Sequence, residues 1–177
     1  MPTKIIYTPN YTTVGNPTID SDYILSSLNS SSGLVANSTL LNGAFNTFEV
    51  DAKITTGSSI SSNQIFFADT HSDACSIALN VVSNKFCLYL SSNGSTFDIA
   101  GDARGSHTIS TNTTYYVKLT FDGSKYVMSY STDGETFTDT ITINSSTKVA
   151  SLTPTIGSWI KNGTTGDSSY FYGSMDL

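Results

Sequence analysis

The sequence predicts an all-β fold, a two-sheet sandwich, jelly roll or barrel. Three observations carry that prediction. About a dozen short segments alternate apolar and polar residues with the period of a half-buried strand, and turn residues separate them at even spacing. Ser, Thr, Asn and Gly are abundant, a mixture with Thr suited to strands and the others to turns. Glu occurs only at 49 and 135 and Ala is sparse, which leaves little from which to build long helices.

In chain order, residues 5–7 read as a short edge strand or arm, and 18–28 and 33–38 as strands around a Ser/Asn turn. Residues 45–55 are stronger, because Phe45, Phe48, Val50, Ala52 and Ile54 mostly alternate with polar neighbours. A short strand over 64–68 leads into a polar loop, 69–73. A hairpin over 76–82 and 86–91 follows, turning at Ser83-Asn84-Lys85; then come a strand at 97–100 and a loop at 101–105. Residues 114–137 form the clearest segment, a three-stranded meander. Asp122-Gly123-Ser124-Lys125 is its first turn, and pairing Phe121 with Tyr126, Leu119 with Met128 and Val117 with Tyr130 puts all six on one face. Asp133-Gly134 reads as a two-residue type I′ turn that sets Tyr130 opposite Phe137. Strands at 138–143, 151–160 and 170–177 close the chain, with no evident internal repeat and no linker longer than a loop.

Composition excludes several classes. The net charge is −6 and Arg104 is the only arginine, so no basic patch could neutralise a run of phosphates. No apolar run approaches the length of a membrane span. The N-terminus lacks a signal-peptide apolar region, so the expectation is a chain used without Sec export or a mature fragment. Hairpin register sets Cys87 opposite Asn80 or Val81, out of disulfide reach of Cys75, and the two thiols lack the paired spacing of a zinc site.

Five stretches together carry a resemblance: Thr-Val-Gly-Asn-Pro-Thr-Ile at 13–19, Phe-Glu-Val-Asp-Ala-Lys-Ile at 48–54, Tyr-Tyr-Val-Lys-Leu-Thr-Phe-Asp-Gly at 115–123, Tyr-Ser-Thr-Asp-Gly-Glu-Thr-Phe at 130–137 and Tyr-Phe-Tyr-Gly-Ser-Met-Asp-Leu at 170–177. In order and spacing they resemble the concanavalin A-like lectin/glucanase jelly rolls of the laminin-G-like branch. The resemblance implies a two-sheet antiparallel jelly roll over residues 13–177, with ligands on the concave face or rim; residues 1–12 precede it as an N-terminal arm or edge strand. A domain of this kind looks like the virion accessory proteins of tailed phages.

Glu49 and Asp51 share one strand face, as do the carboxylates of the Glu-x-Asp-x-x-Glu strand in the retaining glucanases of this fold. Ile54 stands where the acid/base Glu would be, so a polar strand face is the simpler account. Residues 131–137 resemble a sialidase Asp-box, one residue short and with Phe for Trp; a chain with one arginine cannot hold a sialidase substrate's carboxylate, which leaves a turn. Asp69 and Asp73 in the 69–73 loop are candidate calcium ligands, against a plain polar loop. His107 stands alone and reads as structural, and no Ser-His-Asp grouping emerges. Trp159, the only tryptophan, points opposite Ile156, and Tyr170 and Tyr172 point opposite Phe171 and Met175. Aromatic rings on a face outside a β core suit stacking on sugar rings, so these three are the candidate glycan-binding residues.

The expectation is a non-enzymatic protein at the virion surface, a capsid decoration or fibre-type component that binds host or environmental glycans. Its partners are other virion proteins and surface carbohydrate, with a homo-oligomer compatible, and it needs no cofactor unless calcium occupies the loop. Residues 1–11 are the candidate docking segment, by strand addition. The alternatives are a purely structural particle protein and an unusual glycoside hydrolase using Glu49 and Asp51.

Overall fold

The computed structural model describes residues 3–4, 11–21, 24–26, 28, 32–36, 46–69, 75–151, 153–161 and 164–176. Along the chain the strands are β1 (Thr3–Lys4), β2 (Tyr11–Val14), β3 (Thr18–Ile19), β4 (Ile24–Ser26), β5 (Gly33–Ala36) and β6 (Phe48–Thr55). Then come β7 (Gln64–Asp69), β8 (Ile77–Val82), β9 (Lys85–Leu90), β10 (Ala100–Arg104), β11 (Thr114–Phe121) and β12 (Lys125–Ser131). The last are β13 (Thr138–Asn144), β14 (Pro154–Ile156), β15 (Ser158–Lys161), β16 (Thr164–Tyr170) and β17 (Ser174–Asp176). The described residues contain no helix.

The first sheet runs β13-β12-β11-β6-β17-β4-β3, with β1 added parallel to the start of β6. The second runs β10-β9-β8-β7-β14-β5-β2, and β15 pairs with β16 as a separate hairpin. Every other pairing is antiparallel, and the core lies between the two large sheets. Phe66 and Phe86 come to it from the second sheet, Tyr115, Tyr130, Phe121 and Tyr126 from the first. Alternation explains this: in β11 Tyr115, Val117, Leu119 and Phe121 are buried while the residues between them are half exposed. Tyr126 is fully buried, and its hydroxyl donates to the Thr147 carbonyl (2.7 Å) and accepts from the Val149 amide (3.1 Å).

The meander register is the expected one, with Phe121 opposite Tyr126, Leu119 opposite Met128 and Val117 opposite Tyr130. So is the cysteine hairpin: Asn80 faces Cys87, and no disulfide forms. Several expectations need correction. The type I′ turn belongs to that hairpin, where Ser83 and Asn84 both have positive φ (51° and 62°). At the other candidate only Gly134 (81°) does; a wider loop sets Tyr130 opposite Thr138 rather than Phe137. Residues 101–104 lie in a strand where a loop was expected, of the strand expected at 97–100 only Ala100 is one, and Gly157 (φ 83°) splits 151–160 into β14 and β15. The expected strand at 5–7 lies outside the described residues.

The chain also contains an internal repeat. Lys85, Phe86, Leu88, Ser91, Asn93, Gly94, Thr96 and Phe97 match Lys125, Tyr126, Met128, Ser131, Asp133, Gly134, Thr136 and Phe137, each pair forty positions apart. One copy belongs to each sheet. The loops share a bonding pattern: the Ser91 hydroxyl accepts from the Asn93 and Gly94 amides and the Asn93 side chain from those of Ser95 and Thr96. Ser131 and Asp133 repeat all four bonds to Asp133, Gly134, Glu135 and Thr136. These side-chain acceptors close the loop where a two-residue turn was expected.

The repeat yields a prediction. The Ser131 hydroxyl, then the Thr136 and Glu135 amides, hold the Asp133 carboxyl down at about 2. Asp122 is held low chiefly by Ser124 and Asp98 chiefly by Ser92. A depressed folded-state value stabilises the fold above the ordinary value of 3.8, and that contribution is lost as pH falls toward about 2. The urea midpoint will therefore drop over that window. Asp133→Asn will fold, because Asn93 already performs this role in the sister loop, and will drop less; an unchanged acid profile would refute the assignment.

Candidate functional site

The C-terminal segment presents two of the three candidate aromatics together. Tyr172 is 46% exposed, the one exposed large hydrophobic side chain among the described residues. Its ring centroid lies 4.5 Å from that of half-buried Tyr170. A side-chain hydrogen bond with Tyr172 raises the Tyr170 hydroxyl above its ordinary value. The backbone beneath is held firmly. The Tyr172 amide donates to Gln64 Oε1 (3.1 Å), and buried Gln64 donates in turn to the Ser59 carbonyl (2.7 Å). Phe171 and Met175 face the core on either side, as alternation implies.

Trp159 follows Ser158, which pairs with Tyr170, but its side chain packs on a different cluster. It is half-buried against a second cluster, Ile65, Ala68, Cys75 and Ala78, which also carries Tyr89 and Phe97. Tyr170 packs against the main core instead. Tyr89 and Phe97 are partly exposed, with ring centroids 4.9 Å apart. Beside them Asp102 accepts from the Tyr89 hydroxyl (3.2 Å), the Cys87 thiol (3.3 Å) and Arg104 Nε (2.9 Å), and its Oδ2 accepts from Arg104 Nη2 (2.9 Å). Asp102 has φ 52°, in the left-handed region, where the β9–β10 register shifts. The Arg104 hydrogen bonds hold its carboxyl below the usual range, while burial pushes the Cys87 thiol up to about 12 and raises the Tyr89 phenol.

On the outer face of the first sheet, Lys118 lies 3.4 Å from Glu49 and 3.7 Å from Asp51, with its ammonium 4.9 Å from the Phe137 ring centroid. Lys53 pairs with Asp176 at 2.5 Å and lies 5.7 Å from the Tyr116 ring centroid. Ile54 is buried in the core, so the strand presents no third carboxylate on this face.

Asp69 ends β7 buried, and its Oδ1 accepts from the Ser76 amide at 2.9 Å. Asp73 lies outside the described residues, and among those described no three His, Cys, Asp or Glu gather to hold a metal. His107 stacks on Tyr130 with centroids 4.6 Å apart. Sequence reasoning missed Tyr89, Phe97, Asp102 and Arg104; the spacing of the Ser-x-Asn/Asp-Gly-x-Thr-Phe loops was the signal for the second of these.

No family model matches the sequence, and no curated protein matches it either. Solved structures do match. The chain aligns over 93% of its length with the enzymatically active domain of tailspike protein 2 from bacteriophage CBA120, at TM-score 0.59 and 17% identity, spanning 28% of that chain. It aligns over 98% with a seed lectin of Lotus tetragonolobus, at TM-score 0.57 and 10% identity, covering 94% of the lectin. It aligns over 95% with the metal-free VIP36 exoplasmic/lumenal domain, at TM-score 0.58 and 11% identity, covering 82% of that domain. At such identities the likeness speaks to fold: the chain is a two-sheet jelly roll of concanavalin A-like type.

Proposed function

We propose that this chain is a non-enzymatic lectin-like protein of a phage particle surface, a capsid decoration or fibre-type component that binds host or environmental glycans. The observation that carries the reading is Tyr172, an exposed ring packed at a tilt against Tyr170 on a backbone pinned by Gln64. A rigid exposed aromatic costs little entropy to bind against and suits the apolar face of a pyranose. Fold neighbours support the sugar and the particle in turn, namely the Lotus lectin, the VIP36 domain in its Ca2+/Man-bound form and the phage tailspike. Ile54 in the core and Lys118 between Glu49 and Asp51 favour binding over glycoside hydrolysis. Residues 1–11 are the proposed docking segment toward other virion proteins. Of them, Thr3–Lys4 pair with β6, and Tyr11 opens β2.

A glycan array with and without calcium tests the binding half. One saccharide class will be retained, and Tyr172→Ala will weaken it by about tenfold, or about 1.4 kcal/mol. Calcium dependence would implicate the Asp69 and Asp73 loop. Silence from folded protein would sink the lectin reading and favour a purely structural particle protein. Deleting residues 2–11 tests the docking half and will weaken incorporation without changing array binding.

A further inference from the structure

We propose that the outer face of the second sheet is a separate saccharide platform, with Trp159, Tyr89 and Phe97 as the stacking rings and Asp102 and Arg104 as the polar rim, and that it takes a neutral sugar. The inference rests on the carbohydrate reading above and adds a second site to the one at Tyr170 and Tyr172.

Three observations converge. First, all three rings rest on one apolar cluster, Ile65, Ala68, Cys75 and Ala78, and all three stay partly exposed. Extended apolar rings with a polar border are the surface that pyranose C–H groups and hydroxyls match. Second, the rim is polar and electrically balanced. Arg104 and Asp102 form a two-bond ion pair with side chains 44% and 47% exposed. A guanidinium carries five N–H donors and a carboxylate several acceptor positions, so a vicinal diol can donate and accept there. The pair's charges cancel, so an acidic sugar gains nothing from them.

Third, the internal repeat acts as a control on what the scaffold requires. Tyr89 corresponds to Ser129, and its cross-strand neighbour Ala78 corresponds to Lys118, the neighbour of Ser129. Both copies close their loops with the same four hydrogen bonds and both end in Phe. In the first sheet that Phe lies by Lys118, beside Glu49 and Asp51; in the second it lies by Tyr89. The loop therefore does not demand an aromatic residue at position 89. Tyr89 is the feature that turns one copy into a paired-ring surface.

Trp159 is the only tryptophan, so its emission reports on this face directly. Purified protein is titrated with cellohexaose, mannohexaose and maltohexaose, with trigalacturonate as the acidic comparison. At least one neutral oligosaccharide will change the emission saturably. Phe97→Ala, Arg104→Met and Tyr89→Ser will each weaken it by about tenfold, whereas Tyr172→Ala will change it less than twofold. Tyr89→Ser imports the residue that the sister copy carries, and a thermal melt confirms that it folds. Unchanged emission with all three sugars, while array binding persists and depends on Tyr172, overturns this platform and leaves the lectin reading standing. Absence of glycan binding in every assay overturns both. Preference for trigalacturonate overturns the neutral class.

Discussion

Phe86→Ala will cost about 3–5 kcal/mol, the usual range for emptying a large aromatic site in a core. Phe86 is fully buried in β9 and spans the space between the sheets. Its ring meets Phe66 of its own sheet edge-on at 6.5 Å, and Tyr115 and Tyr130 of the opposite sheet at 5.4 and 5.9 Å. Removing it takes a partner from three rings at once and leaves a void that two hydrogen-bonded sheets cannot close by collapsing. For a chain of this length the melting temperature will fall by roughly 10 °C in calorimetry. A drop as small as that of a surface substitution would show that the sheets do not meet through this ring. The sister residue Tyr126 gives a milder comparison. Tyr126→Phe keeps its ring against Phe121, 4.3 Å away, and loses only the bonds at Thr147 and Val149. The amide of Val149 is then left without its acceptor, a loss on the order of 1–3 kcal/mol.

Gly57→Ala will destabilise by about 1–3 kcal/mol through overpacking, and it will also disturb Tyr172. A Cβ at position 57 would run into the backbone carbonyl of Tyr172, which cannot swing aside as a side chain could. The same segment is confined from its other end, because a Cβ at Gly173 would meet the Thr55 carbonyl and the Phe171 ring. The chain from Phe171 into β17 is thus threaded past the end of β6 with room for hydrogen only. Relief requires moving Tyr172 away from Gln64, so amide exchange at Tyr172 will speed up together with the fall in melting temperature. Loss of stability with Tyr172 exchange unchanged would place the strain elsewhere.

Much of the fold was legible because a strand's signal is local. In β11 and β12 the alternation and the Asp122-Gly123 turn agree on one register, and a one-residue slip would have sent Leu119 and Met128 to water. The same logic set Cys87 opposite Asn80. It failed at Asp133-Gly134 because the dipeptide also suits a wider loop, and the choice falls to the Ser131 hydroxyl, a partner outside the pair. The repeat was hidden because its core positions hold similar volumes in different residues, Phe86 for Tyr126 and Leu88 for Met128, while the shared polar residues carry the common geometry.

The candidate site divides along the same line. Side-chain direction along a strand has period two, so the sequence by itself determined that Phe171 and Met175 go inward and that Tyr172 and Trp159 do not. It also determined the all-β class, the absence of a disulfide and the loss of the third glucanase carboxylate at Ile54. Which outward residues meet is a different matter, since strand order is set by closure of the whole sandwich. Only the tertiary structure put Trp159 over the cluster bearing Tyr89 and Phe97, and packed Tyr170 on the main core instead. Those neighbours come from strands far apart in sequence, and no local pattern encodes a contact made by packing one sheet and its covering hairpin together.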